Sequence, residues 1–160
     1  MSDFDIQCFK NILTSYKSVS VLEWGSGNST KYFTDFLQNV GIPYTWEAVE
    51  HHRGWHDTVK KWGLKNVEVC FAEQNSPEYF DREGTYDVIF IDGRNRRKCL
   101  IKAKNLLKEG GVVLLHDADR VYYHSGFDGY HGKFLNPQTG ISRLWMGTLD
   151  KRQPKIPKVI

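Results

Sequence analysis

Val19-Ser20-Val21-Leu22-Glu23-Trp24-Gly25-Ser26-Gly27-Asn28-Ser29-Thr30 decides the fold. Its apolar start, Val19–Leu22, has the length and β-branched character of a short buried strand. Glu23-Trp24-Gly25-Ser26-Gly27 closes that strand. Ser29–Gln38 then reads as a helix with Tyr32, Phe33, Phe36 and Leu37 on one face. Tyr44–Val49 is again β-rich and ends at Glu50.

The same alternation extends outward. Before the quoted stretch, Asp3–Tyr16 carries Phe4, Cys8, Ile12, Leu13 and Tyr16 at helical spacing. After it, Trp55, Val59 and Trp62 mark a helix stripe that Gly63 ends, and both indoles are expected in the core. Val67–Phe71 reads as a third strand. Tyr86–Ile91 is the strongest strand of the chain, closed by Asp92-Gly93. Lys98–Leu107 reads as a helix through Leu100, Ile101, Ala103, Leu106 and Leu107. Gly110-Gly111 turns the chain into the strand Val112–Leu115, which stops at His116-Asp117. Tyr122–Gly132 is too rich in glycine for a helix and too aromatic for an idle linker. Ile141–Leu149 is expected as a last strand after an Asn136-Pro137 turn.

Continuous apolar strands alternating with helices imply a parallel sheet covered on both faces. The expected fold is α/β: a single-domain, Rossmann-like, doubly wound, mostly parallel sheet with helices on both faces. The segments are an N-terminal helix over 1–18, a ligand-binding core over 19–120 and a substrate loop over 121–140. A last strand over 141–150 and a basic tail over 151–160 complete the domain.

Composition narrows the function classes. The 160 residues are 40% hydrophobic and 26% charged, which suits one soluble globular domain. No apolar run approaches the roughly 18 residues that span a bilayer. Met1-Ser2-Asp3-Phe4-Asp5 is acidic and lacks the order of a signal peptide. Membrane association and classical secretion are therefore not expected, and a cytoplasmic location is. Cys8, Cys70 and Cys99 form no CxxC pair and read as reduced thiols. A formal net charge of +3 is too small to argue for nucleic acid as a partner. No oligomeric state is assigned.

In such a sheet, ligands bind beyond the carboxyl ends of the strands. Glu23 to Gly27, Glu50, Glu73, Asp92 and His116-Asp117 stand there. The glycines let backbone approach a ligand closely, and the helix start offers free N–H groups. A dinucleotide fingerprint, GxGxxG, would need glycine where Thr30 stands. Glu23 would repel a pyrophosphate and suits a ligand with a cationic or hydroxylated end. A turn that uses glycine for geometry and Ser or Thr as a helix cap is the structural alternative.

Glu23-Trp-Gly-Ser-Gly-Asn-Ser29 resembles motif I, acidic-x-Gly-x-Gly, of class I S-adenosylmethionine-dependent methyltransferases. Ser29 stands where many members carry a third glycine. The resemblance makes S-adenosylmethionine the expected cofactor, held by Glu23, Gly25, Ser26, Gly27, Asn28 and Ser29. Glu50 matches the acidic residue that binds the ribose hydroxyls, with His51 beside it. Ala72-Glu73 falls where the family contacts adenine. Tyr86–Gly93 looks like motif IV, which adds Asp92 to the donor site, and Leu107–Val112 looks like the turn before strand five. The similarity runs from about Val19 to Asp119. Asp92-Gly93 followed by His116-Asp117-Ala118-Asp119-Arg120 is similar to the Asp-Gly-Pro and His-Asp-x-x-Arg pattern of glucuronoxylan 4-O-methyltransferases, with Arg94 in place of the proline. That finer similarity implies a sugar or glycan hydroxyl as acceptor.

A sugar hydroxyl must lose its proton as it attacks a sulfonium methyl. Asp92, His116 and Asp117 are the candidate catalytic residues, with Asp92 or His116 as base and Asp117 orienting. Asp92, Asp117 and Asp119 could alternatively hold a divalent cation that activates the acceptor oxygen. Arg94 and Arg96 stand at a helix start, where cations oppose the macrodipole unless something negative binds. RNA or an anionic small molecule is the alternative acceptor for that reason. Tyr122, Tyr123, His124 and Tyr130 are the expected acceptor-side aromatics. A non-catalytic Rossmann-like binding subunit is the reading outside enzymology.

Overall fold

The computed structural model describes residues 1–136 and 143–150. Among these residues, five α-helices and seven strands are found, and they alternate up to the fifth strand. The helices are α1 (Asp3–Leu13), α2 (Asn28–Val40), α3 (Arg53–Lys61), α4 (Pro77–Phe80) and α5 (Arg96–Ala103). The strands are β1 (Val19–Trp24), β2 (Tyr44–Glu50), β3 (Val67–Phe71), β4 (Tyr86–Ile91), β5 (Leu107–Leu115), β6 (His131–Phe134) and β7 (Trp145–Thr148). They form one sheet in the order β3-β2-β1-β4-β5-β7-β6. The first five are parallel, and β7 runs antiparallel to both of its neighbours. The expected doubly wound, mostly parallel sheet is therefore the observed one.

Strand periodicity sorts the core into two layers. Val21, Val88, Phe90, Val112 and Leu114 face Phe9, Leu13, Phe33 and Leu37 of α1 and α2. Leu22, Ile89, Ile91, Val113 and Leu115 face the other way, against Tyr79, Phe80, Cys99 and Leu100 of α4 and α5. The central strands are buried on both sides over Val21–Leu22, Val88–Ile91 and Val112–Leu115, which explains their apolar runs; Ser20 and Asp87, near the strand starts, pair with each other.

Several local readings change. The helix expected over Lys98–Leu107 stops at Ala103, and Leu107 already belongs to β5. Gly110-Gly111 lies inside that strand as an irregularity, with the β4–β5 register shifting between Tyr86 and Val88. Gly111 is pressed so close that a Cβ would lie 2.9 Å from the Lys108 carbonyl oxygen. The aromatic stretch after Tyr122 is not merely loop: Val121–Gly126 forms a 3-10 turn and β6 follows. The last strand is shorter than expected, Trp145–Thr148. Positions 141 and 142, the Pro137 half of the expected turn, and the basic tail lie outside the described residues. Finally, Trp55 is 44% exposed, not core, and Tyr32 is 45% exposed although it was placed on the apolar face of its helix. Trp62 is half-buried and meets Trp55 edge to face at 6.4 Å. The α3 face that packs inward is His56 and Val59 instead.

No helix among the described residues is long and apolar enough to cross a membrane.

Candidate active site

Parallel order brings the ends of β1, β4 and β5 side by side. Main-chain hydrogen bonds continue the ladder past the strands: Asp92 N to Trp24 O at 2.9 Å, His116 N to Ile91 O at 3.1 Å and Gly25 N to Val49 O at 2.8 Å. Gly25 leaves β1 at φ +99, a left-handed conformation that side chains resist. A Cβ there would also lie 2.7 Å from Gly93 Cα. Above this contact opens a cavity of about 710 Å³. Gly25, Ser26, Gly27, Asn28, Ser29, Glu50, His51 and Asp92 all line it. Tyr32 and Trp55, which the sequence assigned to apolar faces, form part of its wall.

Glu23 does not reach this cavity. It is fully buried beneath the glycine turn, on the α2 side of the sheet. Its oxygens accept hydrogen bonds from Ser29 Oγ at 2.6 Å, Thr30 Oγ1 at 2.7 Å and Trp46 Nε1 at 2.8 Å. Thr30 Oγ1 in turn accepts from Gly27 N at 2.9 Å. The acid braces the turn from below; it is not exposed to a cationic ligand. Loss of solvent pushes its pKa up to about 7, against the pull of those three hydrogen bonds.

Glu50 ends β2 with its carboxylate nearly buried. Oε1 accepts from His52 N at 2.8 Å and Oε2 from Ser26 Oγ at 3.3 Å. His51 Nδ1 lies 3.1 Å from Glu50 Oε1, yet it is buried without a hydrogen-bond partner. Glu73 lies past β3, exposed and away from the cavity lining. Ala72 N donates to Glu50 O at 3.0 Å, which continues the β2–β3 ladder one residue past β3, and Glu73 follows outside the cavity lining.

Asp92 and His116 form a pair across the ends of β4 and β5. His116 Nδ1 and Asp92 Oδ1 are 2.8 Å apart. Asp92 lines the cavity, whereas His116 stands behind it. Arg96, the first residue of α5, locks the group. Its Nε donates to Gly93 O at 3.0 Å, and one terminal nitrogen donates to His116 O at 2.6 Å and to Asp117 Oδ2 at 3.1 Å. The other donates to Asp92 O at 3.0 Å and lies 3.1 Å from Asp92 Oδ1. The guanidinium fork that was expected to meet an anionic substrate is thus spent on the protein's own carboxylates and carbonyls. Those acids supply the negative charge that a cation at a helix start calls for.

Asp92, His116 and Asp117 are close enough for one cation, their ligand atoms all lying within 4.8 Å of each other. The set does not suit a metal as it stands, because the Arg96 guanidinium already sits on both carboxylates. Asp119, the third acid in the metal reading, is exposed and accepts from Arg143 N at 3.4 Å. It is not part of the cluster.

The aromatics divide. Tyr122 and Tyr123 line a second cavity, together with Arg94 and Arg96. His124 and Tyr130 do not. His124 Nε2 is 3.0 Å from Ala118 O, and its ring stacks on Phe127. Tyr130 donates to Leu100 O at 2.6 Å and packs edge to face on Trp145. Both were expected to touch the acceptor; Tyr130 instead ties its segment to α5 and β7, and His124 is held by the Ala118 carbonyl and the Phe127 and Phe134 rings. Burial raises the Tyr130 pKa.

Residues 22–118, more than half of the chain, match a family described as a methyltransferase domain. The fold resembles a methyltransferase from Pyrococcus furiosus, with a TM-score of 0.63 at 20% identity over 92% of this chain and 83% of that one. It also resembles a precorrin-6y C5,15-methyltransferase from Geobacter metallireducens GS-15, with a TM-score of 0.66 at 16% identity over 92% and 86%. A third similar structure is a 16S rRNA methyltransferase from T. thermophilus in complex with AdoMet and guanosine. Its TM-score is 0.63 at 13% identity, over 92% of this chain and 43% of that one. No curated protein sequence matches this one significantly.

Proposed function

The chain belongs to this family of S-adenosylmethionine-dependent methyltransferases, and we propose that it methylates a hydroxyl of a sugar or small glycan, with Asp92 as the base. The observation that carries the acceptor chemistry is the 2.8 Å contact between His116 Nδ1 and Asp92 Oδ1 at the cavity edge. The residues present suit the donor. Gly27 leaves room for close backbone approach, since a Cβ there would meet nothing within 4 Å, Glu50 offers a nearly buried carboxylate to a hydroxylated ribose, and His51 lines the same cavity. When bound, S-adenosylmethionine supplies a methyl group already activated on a sulfonium.

The protein's remaining task is to orient the acceptor and take its proton. Asp92 Oδ1 is fixed by His116 and Arg96. Among the described residues Oδ2 makes no hydrogen bond, which leaves it for the acceptor hydroxyl. His116 and Arg96 are positioning residues in this scheme: they hold the carboxylate still while it works. Asp117 acts one step further back, through Arg96. The sequence similarity to glucuronoxylan 4-O-methyltransferases over Asp92-Gly93 and His116–Arg120 supports a sugar as the acceptor class.

The test uses isotopically labelled donor with a panel of free sugars, oligosaccharides and short RNAs. Label is expected in a carbohydrate pool, and transfer to RNA alone would refute the acceptor class. Asp92→Asn is expected to lower kcat by about 10²–10⁴-fold, the range for losing a positioned base. S-adenosylhomocysteine affinity should stay within about threefold of wild type, since Asp92 is one of many cavity-lining groups. Unchanged turnover would remove Asp92 from the chemistry.

A further inference from the structure

Beside the donor cavity lies a second one of about 480 Å³, and the two share Gly93, Arg94, Arg96 and Arg120 as a common wall. Five cations line it: Arg94, Arg96, Arg97, Lys98 and Arg120. Among the described residues of its lining, none is acidic. Three of the five have protein partners. Arg96 is consumed by Asp92, Asp117 and three carbonyls. Lys98 Nζ lies 3.9 Å from the centre of the Phe80 ring, and Arg120 is 3.5 Å from Asp117.

Arg94 and Arg97 differ. Both are exposed, and among the described residues their guanidinium groups meet neither a carboxylate nor an aromatic ring. They flank the start of α5, whose first turn contains no acid. Asn95 does not cap that helix, because its amide donates to Gln74 O at 2.6 Å and to Asn75 Oδ1 at 3.0 Å. Two unpaired cations at the positive end of a helix raise the free energy of the empty protein and favour a bound anion. Tyr122, 74% exposed, and Tyr123 give the same groove an aromatic side suited to a sugar face.

We propose that this groove binds the anionic end of the methyl acceptor, a phosphate or carboxylate of a small molecule, and thereby sets which hydroxyl reaches Asp92. The inference rests on the methyl-transfer reading above for the identity of the ligand as acceptor. A small molecule fits better than RNA, because the groove has the volume of a small-ligand site and the chain carries a net charge of only +3.

Calorimetry on the full chain saturated with S-adenosylhomocysteine tests it, using a hexose phosphate, glucuronate, unmodified hexose and a short RNA. At least one of the two anionic sugars should bind more tightly than the neutral hexose. The paired change Arg94→Gln with Arg97→Gln should weaken that binding by about tenfold or more, the size of a lost charge-assisted hydrogen bond. Phosphate preferred over carboxylate, or the reverse, identifies the anion. Both changes are at exposed side chains, and the Arg94 backbone keeps its contacts to the Tyr79 hydroxyl, so the melting temperature should not fall. Equal binding of neutral and anionic sugars, no binding of either anionic sugar, or a paired variant indistinguishable from wild type overturns the proposal. Tighter binding of RNA with a steep salt dependence also overturns it, in favour of a nucleic-acid surface. Failure of S-adenosylhomocysteine to bind is a separate outcome: it refutes the donor site, whereas anion binding to the chain alone would still support the groove.

Discussion

Gly25 and Gly93 touch backbone to backbone: a Cβ on Gly25 would lie 2.7 Å from Gly93 Cα, and one on Gly93 would lie 3.0 Å from Gly25 N. The turn that leaves β1 and the turn that leaves β4 are therefore one packed unit. The first carries Ser26 to Ser29 and the second carries Asp92, all of them in the wall of one cavity. Their relative position is fixed by main chain, not by side chains that could rotate.

Gly25→Ala meets two obstacles, a left-handed φ of +99 and the Gly93 backbone. The expected cost is about 1–3 kcal/mol of stability. Affinity for S-adenosylhomocysteine should fall further than stability does, because any relief moves the turn into the cavity. Urea denaturation and calorimetry on the same preparation check both.

Glu23 gives stability a definite pH dependence. Its pKa is raised to about 7 in the folded chain from an ordinary value near 4.5. Between those values the folded state binds more protons than the unfolded state, so stability falls as pH rises through the window. The contribution is complete below about pH 4.5 and lost above about pH 7, at most about 3 kcal/mol. Glu23→Gln should flatten that part of the profile. A variant whose urea midpoints keep the wild-type slope would show that another group is responsible.

Arg96→Lys should not rescue. The guanidinium uses a planar fork to reach Gly93 O, His116 O, Asp92 and Asp117 together, and an ammonium cannot reproduce it. The expected loss is about 2–4 kcal/mol, the result of leaving partly buried carboxylates without their partner. The kcat of the folded fraction should fall as well, because Asp92 loses its fixed neighbour. A simple structural support would lower the melting temperature and leave that kcat in place.

Trp55 is exposed but sits on the wall of the donor cavity. Trp55→Ala should change stability by no more than about 1 kcal/mol. Donor-product affinity should weaken by about tenfold through loss of aromatic contact area. Unaltered affinity would assign Trp55 to its edge-to-face pair with Trp62 alone.

The legible part of this protein was its periodic part. Val21–Leu22, Val88–Ile91 and Val112–Leu115 are buried on both faces, so each shows an apolar run with polar residues just after it. Burial imposes that pattern, and the strand ends then point to Gly25, Glu50, Asp92 and His116 with no further information. Trp55 was misassigned because helical spacing marks a face without saying whether the core or a cavity lies opposite. Glu23 was misassigned because only packing shows that its carboxylate turns down to Ser29, Thr30 and Trp46 instead of up.

The sequence by itself therefore determined the strand order's raw material, the glycine turn and the set of acids at the sheet's rim. Tertiary structure alone decided what those groups do to one another. Arg96 reads as a free cation until β4 and β5 are laid side by side and Asp92 and Asp117, separated along the chain, both come within 3.1 Å of it. Hydrophobic burial acts on residue type and spacing, which a sequence displays. Ion pairing acts on distance in space, which exists only once the sheet has formed.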